Sequence, residues 1–157
     1  MNDYCMDERK EYIDNFTLTK HELNMYDIAS TEENVKKLVF NFKKARNIYL
    51  NGCHLRLTQN YEPQLEGYTP HKSDQTANVA ITEITSKETY NEFNAQLSIL
   101  YSLMSKCEIA YINDCLIGGA SESSVREQSG YYKDKFEVIK HSAIVRLALA
   151  FDKAVYK

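Results

Sequence analysis

The placement of proline constrains this chain more than any other feature of its sequence. Both prolines, Pro63 and Pro70, lie in residues 62–73 together with Gly67, and no proline occurs elsewhere. Proline lacks a backbone N–H and ends helices, so this segment is predicted to be a linker, and residues 74–157 can continue as helix. Apolar residues recur there at the helical intervals of three and four. The sequence therefore predicts a mainly α fold, a helical bundle with at most a short strand or hairpin in its N-terminal part.

An amphipathic helix is predicted over about residues 31–51. Ser30 and Glu33 have the spacing of a capping box, and Asn51-Gly52 is a typical C-terminal stop. The predicted apolar stripe comprises Val35, Leu38, Val39, Phe42, Ala45 and Tyr49. Because basic residues flank this stripe, the helix is predicted to present a positively charged surface.

These signals divide the chain into an N-terminal segment, residues 1–61, the linker, residues 62–73, and a helical domain, residues 74–157. Two stretches of the N-terminal segment, residues 15–19 and 53–61, alternate weakly between apolar and polar side chains. Such alternation is typical of a short strand but also occurs in loops, so both alternatives stay open.

Charge is distributed unevenly, although the formal net charge is only −3. Residues 1–34 carry an excess of acids, whereas residues 35–61 carry bases and no acids. Charges act on a partner over about 10 Å at about 0.1 M salt, so the local block matters more than the total. This block is either a phosphate-binding surface or a solvated helix face neutralised by the acidic segment before it. The candidate second basic surface comprises Lys36, Lys37, Lys43, Lys44 and Arg46.

The sequence predicts no catalytic or metal centre. Its four cysteines and four histidines are scattered and lack the spacing of zinc ligands or of a C-x-x-C motif. Gly118-Gly119 lies outside any phosphate-binding glycine motif. We therefore expect no metal, no cofactor and no enzymatic activity, although a Cys/His site assembled only in space is left open.

The hydrophobic content is also not that of a membrane protein. No apolar run approaches the roughly 20 residues that a membrane span needs. The N-terminus is acidic and polar, unlike a secretory signal. A soluble cytoplasmic protein without a membrane partner is therefore expected.

The C-terminal end is predicted to form a helix-turn-helix over about residues 121–156. Ser121 begins a short helix, Gly130 ends it, and a longer helix follows from about Tyr132 to Tyr156. The apolar stripe of the longer helix comprises Phe136, Ile139, Ala143, Ile144, Leu147, Ala148, Phe151 and Val155. In such units the second helix places its N-terminal residues against base edges in the major groove.

Polar residues around the start of this second helix are the candidates for DNA contact. Lysine can reach guanine acceptors or phosphate, and a carboxylate can accept from cytosine N4. A base on the first helix is a phosphate candidate, while an acid near a helix N-terminus also simply suits the helix dipole. The predicted DNA-binding residues are Arg126, Tyr132, Lys133, Asp134, Lys135, Glu137, Lys140 and His141.

Residues 130–147 resemble the recognition helix of the fourth region of bacterial sigma factors. A glycine opens the turn in both, and a Lys-Asp-Lys run precedes the apolar Phe136. The residues that match the family's isoleucine and its alanine-leucine-leucine core are Ile139, Ala143, Ile144 and Leu147. The resemblance implies a helix-turn-helix that reads DNA with this helix.

The order of elements over residues 31–157 is similar to that of the ArpU-type phage transcriptional regulators, which activate late lytic genes in prophages of Gram-positive bacteria. Members have a basic N-terminal helix, a short Thr-Pro-bearing linker, a long central helix and a sigma-like C-terminus. The corresponding linker here is residues 67–72. This resemblance implies a sequence-specific activator that binds double-stranded DNA, acts on phage or prophage late genes and contacts host RNA polymerase.

A second hypothesis is a protein-interaction adaptor or anti-activator that binds polymerase or another regulator without reading DNA. It is motivated by the acidic net charge and by Glu137-Val138, which stand where the sigma pattern favours basic and amide residues. A homodimer is possible, because helix-turn-helix proteins often read two half-sites, but no long heptad repeat specifies one.

Overall fold

A computed structural model describes residues 17–52 and 75–157, and the regular structure of these residues is helical. The α-helices are α1 (Lys20–Leu23), α2 (Ile28–Asn51), α3 (Gln75–Tyr101), α4 (Lys106–Ala110), α5 (Glu122–Ser129) and α6 (Lys133–Ala150), and a π-helical segment (Tyr111–Ile117) follows α4. Within the described ranges the only β pairing is an isolated antiparallel bridge between Tyr26 and Tyr156. The predicted mainly α fold is therefore confirmed.

Several predicted features fall outside the described ranges. These are the linker at residues 62–73, the alternating stretch at residues 53–61 and the first part of the stretch at residues 15–19. The described end of that last stretch, residues 17–19, is neither helix nor strand. None of the described helices is long and apolar enough to cross a membrane.

The chain divides into two compact units, one containing residues up to 41 and from 94 onward, the other residues 42–93. The second unit is held by aromatic side chains of α2 and α3. Phe42 stacks on Phe93 with ring centroids 4.1 Å apart, and Tyr90 lies 5.6 Å from Phe42 and 5.3 Å from Tyr49. The predicted stripe of α2 thus supplies contacts to this unit through Phe42 and Tyr49.

The core of the first unit is built around α6. Six of the eight residues predicted for its apolar stripe are buried on the helix: Phe136, Ile139, Ala143, Ile144, Leu147 and Ala148. Tyr111 and Ile112 of the π-helical segment are buried beside it. The three-and-four spacing therefore predicted the core-facing side of α6 correctly as far as Ala148.

The end of α6 was predicted too far along the chain. The helix ends at Ala150 and not near Tyr156, and Asp152 has a φ of 53°. The chain then turns back onto the start of α2, where the Asp27 N–H donates to the Val155 carbonyl at 2.8 Å. Val155 is therefore not part of the helical stripe, because its backbone bonds to another element.

The start of α2 was also predicted wrongly. The helix begins at Ile28, ahead of the proposed capping box at Ser30. The Asp27 carboxylate accepts from the Ser30 N–H at 3.2 Å and from the Ser30 hydroxyl at 2.7 Å. Aspartate at this position satisfies a free amide of the first turn, so Asp27 caps the helix and Ser30 is capped.

Candidate nucleic-acid interface

The short helix α5, the glycine turn and the start of α6 lie where the sequence predicts. The Ser121 hydroxyl accepts from the Ser124 N–H at 3.3 Å and so caps the start of α5. Gly130 ends α5 with a φ of 70°, a left-handed conformation that an L side chain adopts only at a cost. Residues 130–132 alone separate α5 from α6, so a three-residue turn joins the two helices.

Buried contacts hold α5 and the start of α6 in place. Val125 is the buried residue of α5. Phe136, in the first turns of α6, lies edge-on to Tyr111 with ring centroids 6.2 Å apart. Burial is the main cause that raises the pKa of Tyr111, and nearby glutamates such as Glu122 raise it further. The apolar side of α6 therefore orients the opposite side of its first turn outward.

The first turn of α6 is exposed and polar. Tyr132 is 89% exposed, and Lys133 and Asp134 are exposed as well. Tyr132 occupies the N-cap position but its side chain makes no capping hydrogen bond. The Lys135 ammonium lies 5.7 Å from the centre of the Tyr131 ring. The positive end of the helix dipole and these lysines together favour an anionic ligand such as phosphate.

The other predicted contact residues lie beside this turn and are less accessible. Arg126 on α5 is half-buried. Glu137 and His141 are half-buried neighbours on α6, with His141 Nε2 3.5 Å from Glu137 Oε2. Among the predicted contact residues the structure therefore exposes only Tyr132, Lys133 and Asp134.

Lys140 is engaged in an ion pair that joins the two helices. Its Nζ lies 2.9 Å from the Glu122 carboxylate, and its side chain is only 13% exposed. Burial works against the charge of Lys140, but the hydrogen bond to Glu122 and the nearby carboxylates of Glu32 and Glu137 raise its pKa overall. The contact fixes α6 against α5, and a DNA contact by Lys140 stays a prediction.

The candidate second basic surface is divided by the structure. Lys36 and Lys37 lie in the first unit and pair with Glu32 and Glu33 one helical turn earlier, each at 2.8 Å. The remaining members, Lys43, Lys44 and Arg46, are exposed and belong to the second unit. Part of the positive charge counted in the sequence is therefore neutralised within α2 itself.

A buried polar network near α6 escaped the sequence analysis. Glu108 has no exposed surface, yet its carboxylate accepts from the Ser105 N–H at 2.9 Å and from the Ser142 hydroxyl. Arg146 Nη1 lies 3.7 Å from the same carboxylate and donates to the Leu103 carbonyl at 2.6 Å. The Ser105–Glu108 capping box was the available signal, but capping boxes are usually at the surface, and only packing buries this one.

The arrangement contains no group of side chains suited to hold a metal. Among the described residues no cluster of three His, Cys, Asp or Glu side chains could do so. Cys107 and Cys115 are half-buried, and burial raises the pKa of the Cys115 thiol. A raised pKa disfavours the reactive thiolate at neutral pH.

Comparison with protein-family models, with curated proteins and with solved structures finds no match to this chain. A functional proposal therefore depends on the residues of the α5–α6 pair and on the resemblances of the sequence itself.

Proposed function

We propose that this chain is a sequence-specific regulator that binds double-stranded DNA and activates phage or prophage late genes together with host RNA polymerase. The observation that carries the DNA-binding part is the exposed, polar first turn of α6, which follows a short helix and a three-residue glycine turn. The late-gene and polymerase parts rest on the resemblance to ArpU-type regulators.

The exposure pattern along α6 supports this assignment. Tyr132, Lys133 and Asp134 are exposed at its start, whereas buried residues follow along the rest of the helix. A recognition helix reads base edges mainly with its N-terminal residues, so the accessible part is the part that DNA recognition would use. Lys133 suits a guanine acceptor or a phosphate, and Asp134 suits cytosine N4.

The decisive experiment is selection of bound duplexes from a random DNA pool with the full chain, followed by affinity measurements on the selected sequence. The variant K133A/K135A is expected to lose at least about 2 kcal/mol of binding free energy on that sequence. K106A removes an exposed lysine at the start of α4, away from the candidate interface, and should leave the affinity unchanged. Recovery of no sequence, or unchanged binding by K133A/K135A, would overturn the assignment of α6.

A second candidate is an adaptor that binds polymerase or another regulator without reading DNA. The observation that favours it is the pairing of Lys36, Lys37 and Lys140 with glutamates, which reduces the charge available for phosphate. Phe40, between the paired lysines and the exposed Lys43, is 68% exposed and would suit a protein partner. Capture of purified polymerase by a chain that shifts no promoter fragment would select this candidate.

A further inference from the structure

The middle of α6 is covered on all sides, which is unusual for the second helix of such a pair. Four consecutive residues have no exposed surface: Ser142, Ala143, Ile144 and Val145. Because an α-helix turns about 100° per residue, four successive residues point in all directions around its axis. A helix lying on a single core would expose one of these sides, so a second element must cover α6 from outside.

The covered outer side is opposite to the side that faces the core. Phe136, Ala143 and Leu147 mark the core side of α6. Val138 and Val145 lie about half a turn around the helix from these residues. Val138 is partly buried and Val145 is fully buried, although neither belongs to the predicted apolar stripe.

Residues 17–26, which we call the strap, supply this cover. Leu23 and Tyr26 form a separate buried cluster with Val145, and Leu18 and Val138 pack against that cluster. The Leu18 N–H also donates to the Ser142 hydroxyl at 2.9 Å. The strap therefore contacts α6 along its outer side from residue 138 to residue 145.

The end of the chain holds the far side of the strap. Tyr26 pairs with Tyr156 in the isolated bridge, and their ring centroids are 4.9 Å apart. The Lys157 N–H donates to the Met25 carbonyl at 3.1 Å. These contacts close the strap over α6, and the strap meets the helix through the apolar cluster and the Leu18–Ser142 hydrogen bond.

We propose that the strap forms an autoinhibitory contact, and that tight binding of DNA requires it to leave the outer side of α6. This inference rests on the proposed function. Asp134 lies on the same side of α6 as Val138 and Val145, so a duplex that reaches Asp134 meets the strap one turn further along the helix. A recognition helix lies lengthwise in the major groove, where the covered side of α6 would face the bases.

The affinity measured for the wild-type chain is then the affinity of the open form multiplied by the fraction of molecules whose strap has opened. The substitution L23A removes most of a side chain that is 6% exposed in the strap cluster and is not itself a predicted DNA contact. It is expected to tighten binding to the selected duplex about tenfold by increasing the open fraction. M25A alters a residue of the same strap that is 51% exposed, and it should leave the affinity unchanged.

Hydrogen exchange of the wild-type chain tests the same inference without any substitution. The Leu18 amide, which donates to Ser142, is expected to lose protection when the selected duplex is added, while the amides in the middle of α6 keep theirs. Selection is carried out with both the wild-type chain and L23A, so that a closed strap does not hide the site.

The outcomes separate the two proposals. Weaker or equal DNA binding by L23A, or a Leu18 amide that stays protected in the complex, would overturn the autoinhibitory strap while the DNA-binding function stands. Tighter binding by L23A together with exposure of Leu18 supports it. If neither chain selects a duplex, the DNA-binding function and the strap proposal fall together.

Discussion

Glu108 shows how a single residue can gain a role that its sequence neighbours do not reveal. A carboxylate without exposed surface is costly to bury, and three neighbours compensate it here: the Ser105 amide, the Ser142 hydroxyl and the Arg146 guanidinium. The network joins α4 to the middle of α6. Its members therefore contribute to the position of the helix that carries the candidate interface.

At this scale we predict that E108A is strongly destabilising. Removing the carboxylate leaves Ser142 and Arg146 without their shared partner, and breaking such a buried pair costs about 3 kcal/mol or more of unfolding free energy. Urea denaturation of the full chain measures this loss. E127A, an exposed glutamate of α5, should change stability by less than about 0.5 kcal/mol, and an equal effect of the two substitutions would contradict the buried network.

Lys140, in contrast, loses in the structure the accessibility that its place in the sequence suggests. In the sequence it is one more base on the polar side of the predicted recognition helix, whereas in the structure its side chain is 13% exposed and pairs with Glu122. The long side chain of lysine can pair with any acidic residue nearby, and the sequence pattern does not identify which acidic residue that is. Its partner was decided by the packing of α5 against α6.

At the scale of elements, the turn between α5 and α6 depends on one glycine. Gly130 has a φ of 70°, and a Cβ placed there would meet no atom within 4 Å. Any cost of substitution is therefore conformational and not steric. We predict that G130A lowers the unfolding free energy by about 1 kcal/mol and that G130N lowers it by less, because asparagine tolerates this conformation better.

Urea denaturation compares these two variants directly. A loss for alanine no greater than that for asparagine would show that the left-handed turn is not what Gly130 supplies.

The start of α2 supports a prediction on pH dependence. Hydrogen bonds from the Ser30 hydroxyl and from the Ser30 and Ala29 amides lower the pKa of Asp27 below its ordinary value of 3.8. A carboxylate whose pKa is lowered by folding stabilises the fold above its unfolded pKa, and this contribution is lost as the pH falls through the folded pKa. D27A is therefore expected to lower Tm at neutral pH, and the difference from wild type should shrink below pH 3.8.

S30A is the matched comparison, because Ser30 was the cap predicted from the sequence. If α2 began at the predicted position, S30A would lower Tm more than D27A, and thermal unfolding of both variants across this pH range decides between the two positions.

At the scale of the whole molecule, the net charge of −3 limits how DNA can be bound. Lys36, Lys37 and Lys140 are paired with glutamates, so few cations near α6 can displace counterions from phosphates. For about three phosphate contacts, log K is expected to fall against log salt with a slope of about −3. Fluorescence anisotropy over a range of salt concentrations measures this slope. A slope several times steeper would indicate a much larger basic surface, such as the exposed bases of α2.

The sequence by itself determined the helical class, the packing side of α6, and the short helix, glycine turn and long helix at the C-terminal end. These follow from local physics: apolar spacing, helix caps and the conformational freedom of glycine act within a few residues. Helix ends were less predictable. The start of α2 was misplaced because Asp27, and not Ser30, caps the helix. The end of α6 was misplaced because the chain turns back after Ala150 and Val155 bonds to the distant Asp27.

Only the tertiary structure decided which polar side chains are accessible to a binding partner and which are buried or paired. Glu108 became buried, Lys140 became an ion-pair partner, and Val145 gained a cover from the strap. Each of these outcomes needs a contact between segments that are distant in sequence, and such contacts depend on how whole elements pack. Sequence and tertiary structure both contribute to the exposed first turn of α6: the sequence predicted its polarity, and packing left it accessible.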